Sequence, residues 1–149
     1  MGDCWFIGAL SVLATRDELL RGQAECIPLE MVNLIDKESA QMLSSGVYPP
    51  IFHNFRHKGI YVMRFSKNHE WRYVIIDDRF PVYKGNMQLV FGKCASPDEL
   101  WVPLIEKAYA KLHGCYQTLI SGFIDDGLAD MTSMVCEKRH THDRRGVFN

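Results

Sequence analysis

The chain has 149 residues, 47% of them hydrophobic, which fits one compact domain with a sizeable core. A formal net charge of -1 provides no broad basic field, which excludes nucleic acid and anionic lipid as expected partners. No apolar run approaches the roughly 20 residues of a membrane span and the N-terminus lacks the basic region of a secretory signal, so we expect a cytoplasmic (intracellular) protein.

The first predicted element is a buried helix that begins at a cysteine. Residues 6–14 form an apolar run too long for an ordinary strand, and Asp3 is placed to cap a helix over this run. Cys4 then lies in the first turn, where unpaired backbone N–H groups and the positive end of the helix dipole favour the nucleophilic thiolate. A free cysteine is also a common core residue, and this segment alone leaves both interpretations open.

Helices and a hairpin follow in the first two thirds of the chain. Residues 18–22 predict a short helical turn, and residues 28–43 carry apolar residues at helical spacing. Two β-rich runs at residues 59–65 and 71–76, separated by a polar stretch, predict an antiparallel hairpin. A third short strand is predicted at residues 88–91.

A long helix is predicted next. Ser96 and Glu99 form a capping-box pattern with Pro97 between them, which predicts a helix of about four turns that ends at His113 and is closed by Gly114. Seven apolar residues at helical spacing predict its inward face. They are Leu100, Trp101, Leu104, Ile105, Ala108, Tyr109 and Leu112.

The C-terminal part is predicted to contain short helices and a polar tail. Residues 115–134 predict one or two short helices, broken at Gly122 and Gly127, and residues 137–145 predict a solvated tail. The cysteines contain no C-x-x-C pair and leave at least one thiol unpaired, which favours a reducing compartment and predicts no structural disulfide. They are Cys4, Cys26, Cys94, Cys115 and Cys136.

Three blocks of sequence, in this order, resemble the first half of the calpain protease core. Residues 2–5 read GDCW, and residues 71–82 contain a strand followed by the DD-x-x-P pattern. Residues 99–116 read ELWVPLIEKAYAKLHGCY. Three ordered matches of this length identify the chain as similar to the calpain family of cysteine proteases.

The resemblance implies an α+β fold, that of the Cys-bearing first subdomain of a papain-like core. It implies a buried central helix starting at Cys4, a small antiparallel sheet and several helices. The subdomain is expected to span residues 1–135, with an insertion at about residues 24–58. Residues 136–149 are expected to form a polar C-terminal tail.

The function implied by the resemblance is that of a calcium-dependent cysteine endopeptidase acting on protein substrates. Cys4 is then the nucleophile, and its backbone N–H is one donor of the oxyanion hole. By position, Glu99 corresponds to a Ca²⁺ ligand of the family. Calcium takes about six to eight oxygens, so Glu99 with neighbours such as Asp98 would bind it weakly. The alternative role for Glu99 is a capping-box carboxylate that reaches back to the backbone of Ser96.

The family places the catalytic histidine and asparagine on a second subdomain, which is the partner expected here. His140 and His142 fall in the spacing of roughly 130 to 150 residues after the nucleophile, but charged residues surround both, which indicates an exposed tail. The glutamine that completes the family's oxyanion hole precedes the cysteine, and this chain begins three residues before Cys4. We therefore expect the chain to be inactive alone.

Two other functions remain open at this level. The chain could be a non-catalytic interaction or regulatory module that reuses the calpain subdomain, with residues 24–58 as its contact surface. It could also be a compact cysteine and histidine enzyme that uses His113 or His69 as its base.

Overall fold

Helices and a single hairpin make up the part of the chain that the structure describes. The computed structural model describes residues 2–22 and 45–139. This combination of helices with a small antiparallel sheet confirms the predicted α+β fold. Within those residues no helix is long and apolar enough to cross a membrane. The elements are α1 (Cys4–Leu13), α2 (Asp17–Arg21), a 3-10 helix (Pro50–Lys58), β1 (Ile60–Lys67), β2 (Glu70–Asp77), α3 (Trp101–His113), a second 3-10 helix (Tyr116–Leu119) and α4 (Ile124–Thr132).

Helix α1 lies in the core and begins at Cys4, as predicted. The Phe6 ring stacks on the Tyr109 ring of α3, with the ring centroids 4.4 Å apart. Stacking of two large buried rings contributes both apolar burial and a fixed relative orientation of the two helices. The buried side chains of α1 are Phe6, Ala9, Leu10 and Leu13.

After α2 the chain leaves the described region at Gly22 and returns at Ser45 to the same place. The backbones of Gly22 and Gly46 touch, and both residues have left-handed φ angles, +80° and +79°. A side chain at either position would clash, so glycine is required at both ends. The Val47 N–H donates to the Leu19 carbonyl at 3.0 Å, which ties the returning chain to α2.

The predicted hairpin is confirmed. Strands β1 and β2 pair antiparallel up to Lys67 opposite Glu70, so both strands extend into the polar stretch between the two predicted runs. Asn68 and His69 alone form the turn, with φ angles of 53° and 62°. Left-handed conformations at both central residues match the right-handed twist of the flanking strands.

The predicted third strand at residues 88–91 is wrong. Val82 and Leu89 form one isolated antiparallel bridge, and the sheet contains only β1 and β2 among the described residues. The Val90 N–H donates to the Pro81 carbonyl at 3.1 Å, so the segment folds back on itself. Because this pairing is local, the segment does not add to the hairpin.

Helix α3 begins at Trp101, later than the predicted start at Pro97. Pro103 explains the difference. In the observed helix it lies in the first turn, where no N–H donor is needed, whereas in a longer helix it would remove an interior hydrogen bond and clash with the preceding turn. The predicted capping box at residues 96–99 is therefore wrong. Leu100, predicted to face inward, lies at the N-cap and is exposed.

Helix α4 continues through Gly127, so the predicted break at this glycine is wrong. A Cβ atom at Gly127 would lie 3.2 Å from the Trp5 ring and 3.3 Å from the Ala9 Cβ. The missing side chain thus lets α4 pack closely against α1. This packing against its neighbour outweighs the low intrinsic helix propensity of glycine.

Several predictions fall outside the described residues. These are the helix at residues 28–43, the first part of the insertion, Cys26, and the histidines His140 and His142. The remaining part of the insertion contains the 3-10 helix at Pro50–Lys58. Residues 133–139 of the C-terminal region have neither helix nor strand.

Candidate active site

Cys4 carries an exposed, free thiol at the first residue of α1. Two residues later Phe6 is fully buried, so the helix is anchored in the core while its first residue faces solvent. A packing cysteine would be out of reach of a substrate, whereas this thiol is accessible. Its position at a helix N-terminus places it beside backbone N–H groups that have no partner within the helix.

The backbone around Cys4 leaves a hydrogen-bond donor available. The Asp3 carbonyl accepts the N–H groups of Phe6 and Ile7 at 2.9 and 3.1 Å, which closes the first turn of α1. Within the described residues, the Cys4 N–H has no acceptor. It is therefore free to donate to an oxyanion formed next to the thiol.

The indole of Trp5 fixes the start of α1 to the segment before α4. Its Nε1–H donates to the Leu119 carbonyl at 2.9 Å. A Cβ atom at Gly122 would lie 2.5 Å from the indole ring, so the ring packs directly against the Gly122 backbone. Trp5 adjoins Cys4 in the chain, and these contacts restrict the direction in which the thiol points.

Asp3 does not cap α1 with its side chain, contrary to the prediction. Its side chain lies beside Glu106 of α3, which is only 1% exposed. Burial is the main cause that raises the pKa of Glu106 to about 7, and the neighbouring Asp3 carboxyl group adds to it. Sequence reasoning missed Glu106, although a glutamate flanked by inward-facing residues of an amphipathic helix was a usable signal.

Neither histidine of the compact-enzyme hypothesis pairs with Cys4 in the part of the chain that the structure describes. The Nδ1 atom of His113 donates to the Tyr109 carbonyl at 3.0 Å, and its Nε2 atom lies 3.8 Å from an Asp130 carboxylate oxygen. His69 is exposed in the hairpin turn. No hydrogen bond therefore joins His113 or His69 to Cys4 within the described residues.

Glu99 does not lie in a calcium site formed by the described residues. Its side chain is exposed and accepts a hydrogen bond from the Trp101 indole at 3.2 Å. No group of three or more His, Cys, Asp or Glu side chains in residues 2–22 and 45–139 is arranged to hold a metal ion. One exposed carboxylate cannot supply the six or more oxygens that Ca²⁺ takes, so the residues described do not fit the ion.

Comparison with known proteins identifies the kind of protein to which this fold and thiol belong. A family described as "Calpain family cysteine protease" matches residues 1–148. Calpain-5 of Mus musculus is 38% identical over 137 residues, which is 92% of this chain. Calpain-5 of Caenorhabditis elegans is 34% identical over 140 residues, or 94% of this chain, and the human Calpain-2 catalytic subunit is 34% identical over 92% of it.

An exposed thiol at the start of a buried helix, in an α+β fold, is the setting of the nucleophile in a cysteine protease. The chain belongs to the calpain family of cysteine proteases. It spans 18% of the length of either Calpain-5 and 16% of the human Calpain-2 catalytic subunit.

Proposed function

We propose that this chain carries the nucleophile of a calpain-type cysteine endopeptidase that cleaves protein substrates. The observation that supports this most directly is the free, exposed thiol of Cys4 at the first residue of α1. The Cys4 sulfur attacks the carbonyl carbon of a peptide bond, and the carbonyl oxygen becomes an oxyanion that accepts the Cys4 N–H. Collapse of this intermediate expels the amine and leaves a thioester, which water then hydrolyses.

This reaction needs a histidine that protonates the leaving amine and an Asn or Asp that orients the imidazole. Since no described histidine pairs with Cys4, we assign both groups to a second subdomain outside the described residues. The surface beside Cys4 supports this assignment. Ile120, Phe123 and Ile124, here called the apolar patch, are 61%, 61% and 45% exposed. Ile124 Cδ1 would lie 3.2 Å from a Cβ atom at Gly8, so the patch adjoins α1.

Calcium dependence belongs to this proposal as a property of the assembled enzyme. Glu99 is the candidate ligand, and the remaining oxygens then come from segments other than the described ones. Cys4, Cys94, Cys115 and Cys136 are all free thiols, which supports a reducing, cytoplasmic location.

The first test is hydrolysis of a fluorogenic peptide by the purified chain, with Ca²⁺ and with a chelator. The variant is Cys4→Ala, and the matched control is Cys115→Ala, which removes another exposed thiol. We expect little turnover by the chain alone, but selective alkylation of Cys4 over the other thiols. Adding the histidine-bearing subdomain should produce calcium-dependent turnover that is retained in Cys115→Ala and lost in Cys4→Ala.

Turnover that persists in Cys4→Ala would exclude Cys4 as the nucleophile. If the assembled protein binds partners but neither cleaves peptides nor shows a reactive Cys4, the chain is instead a non-catalytic interaction or regulatory module. The apolar patch is the observation that favours this second function, because an exposed patch of large apolar side chains is typical of a contact surface.

A further inference from the structure

Glu106 is a buried carboxyl group, and one of its oxygens lacks a hydrogen-bond partner within residues 2–22 and 45–139. It lies on α3 and is 1% exposed. Its Oε2 atom accepts the Gly92 N–H at 2.8 Å, whereas its Oε1 atom has no partner among the described residues. An unpartnered buried oxygen is costly if the group is ionised, and the cost falls when that oxygen carries a proton.

The space around Glu106 leads to the residues just before Cys4. A cavity of about 330 Å³ is lined by Glu106, Gly2, Asp3, Tyr116 and Ile120, among others. Two titratable groups in the described residues face Glu106: Asp3, from the segment before α1, and Tyr116, from the second 3-10 helix. The loop before α3 contributes the N–H group of Gly92. No lysine or arginine in the described part of the chain lines this cavity.

A buried carboxyl group that faces a second carboxyl group without a cation is destabilised when it ionises, both by burial and by repulsion. Burial first, and then Asp3, raise the pKa of Glu106 to about 7, so the group changes charge near neutral pH. The charge on Glu106 also contributes, after burial, to raising the pKa of Tyr116 to about 12, which means that Tyr116 stays neutral throughout.

Asp3 lies between Glu106 and Cys4 in the chain of contacts, so the protonation state of Glu106 can affect Cys4. The Asp3 carbonyl accepts the first two hydrogen bonds of α1, from Phe6 and Ile7, so a shift of Asp3 moves the turn on which the Cys4 thiol and N–H lie. We propose that Glu106 is a positioning residue for Cys4, which in its protonated form holds Asp3 in place and on ionising repels the Asp3 carboxylate.

This proposal rests on the proposed role of Cys4 as the nucleophile. Two effects follow when Glu106 loses its proton. A second negative charge appears behind the N-terminus of α1, which opposes a negative charge on the Cys4 sulfur. Repulsion between the two carboxylates also displaces the Asp3 turn and with it the oxyanion donor. Both effects lower the reactivity of Cys4 above neutral pH relative to that of a thiol elsewhere.

The test measures alkylation of individual thiols by iodoacetamide, with mass spectrometry, from about pH 6 to about pH 8.5. The rate at Cys4 is divided by the rate at Cys136, another exposed thiol. For the native chain we expect this ratio to show, in addition to any difference in ionisation between the two thiols themselves, a downward step of about two- to fivefold, with a midpoint near the Glu106 pKa of about 7. In Glu106→Gln, which keeps the shape without the titration, this step should disappear and only the difference between the two thiols should remain.

Glu70→Gln is the matched control, because it neutralises an exposed carboxylate on the hairpin and should keep the step. Asp3→Asn removes the repulsion between the two carboxylates and should make the step smaller, because only the direct effect of the Glu106 charge remains. It provides a second variant if Glu106→Gln does not fold by circular dichroism. A step of native size in folded Glu106→Gln, or in Asp3→Asn, would overturn the proposal. Because the assay follows a thiol and not peptide cleavage, this result is independent of whether the assembled protein is a peptidase.

Discussion

Single residues decide how α1 is held, and Trp5 with Gly122 is the clearest case. The indole ring occupies the volume that any side chain at position 122 would need. We expect Gly122→Ala to displace the ring and to lower the free energy of unfolding by about 1 to 3 kcal/mol. Gly85→Ala is the control, because a Cβ atom there meets nothing within 4 Å. The measurement is the urea concentration at the unfolding midpoint of each variant. Equal midpoints for Gly122→Ala and Gly85→Ala would contradict this prediction.

Glu106 should also make the stability of the chain depend on pH. The folded state keeps a proton on Glu106 up to a pKa of about 7, whereas the ordinary pKa of a glutamate is 4.5. The unfolded chain loses this proton first, so stability is highest below about pH 4.5 and falls as pH rises through about 7. The full difference is about 3 kcal/mol. Part of this loss has already occurred at pH 5, so the change in unfolding free energy between pH 5 and pH 8 should be smaller in Glu106→Gln than in the native chain by about 2.5 kcal/mol.

The burial of His53 has the opposite effect on the pH dependence of stability, within the same range of pH. Burial lowers its pKa, so the folded state resists protonation and loses stability as pH falls below about 6.5. This contribution is the same in the native chain and in Glu106→Gln. The comparison between the two proteins therefore isolates Glu106, and equal pH dependence in both would show that the carboxyl group titrates normally.

Among the elements, α3, α4 and β1 are joined through one carboxylate. Asp130 of α4 accepts the Tyr109 hydroxyl and the Lys67 ammonium group, each at 2.8 Å. Removing the hydroxyl in Tyr109→Phe leaves Asp130 with one bond fewer at a partly buried site. We expect a loss of about 1 to 2 kcal/mol in unfolding free energy. Tyr116→Phe is the control, because no described residue forms a hydrogen bond with the Tyr116 hydroxyl. An equal loss of unfolding free energy in Tyr116→Phe would mean that the hydrogen bond to Asp130 is not responsible.

Local patterns predicted those elements whose causes are local. The apolar run after Cys4 and the polar break between two β-rich runs were sufficient for α1 and the hairpin. The capping pattern at residues 96–99 predicted too early a start for α3, because Pro103 is accommodated only in the first turn of the helix. The role of Gly127 could not be predicted from spacing, because it depends on which side chains of α1 lie against it. The spacing of α3 indicated that Glu106 is buried, but not that the Asp3 carboxyl group lies beside it.

At the scale of the whole molecule, the apolar patch should be a measurable property of the isolated chain. Its exposed phenyl ring and alkyl groups are expected to bind the dye ANS, and Phe123→Ser should lower the ANS fluorescence. Phe123 is the N-cap of α4, where serine is a favourable residue, so the variant should fold. Met87→Ser is the control, because Met87 is even more exposed than Phe123 and is not part of the apolar patch. It should lower the ANS fluorescence less than Phe123→Ser does, and an equal decrease would argue against a distinct patch.

The touching glycines Gly22 and Gly46 have a consequence for how the family can vary. Gly22 and Gly46 lie next to each other, so the segment between them begins and ends at nearly the same point. The distance between its two ends therefore does not depend on the number of residues in the segment. Doubling the length of such an excursion costs only about 0.6 kcal/mol in closure entropy. Residues can thus be gained or lost between these two glycines over evolutionary time while the helix that bears Cys4 stays in register with the rest of the core.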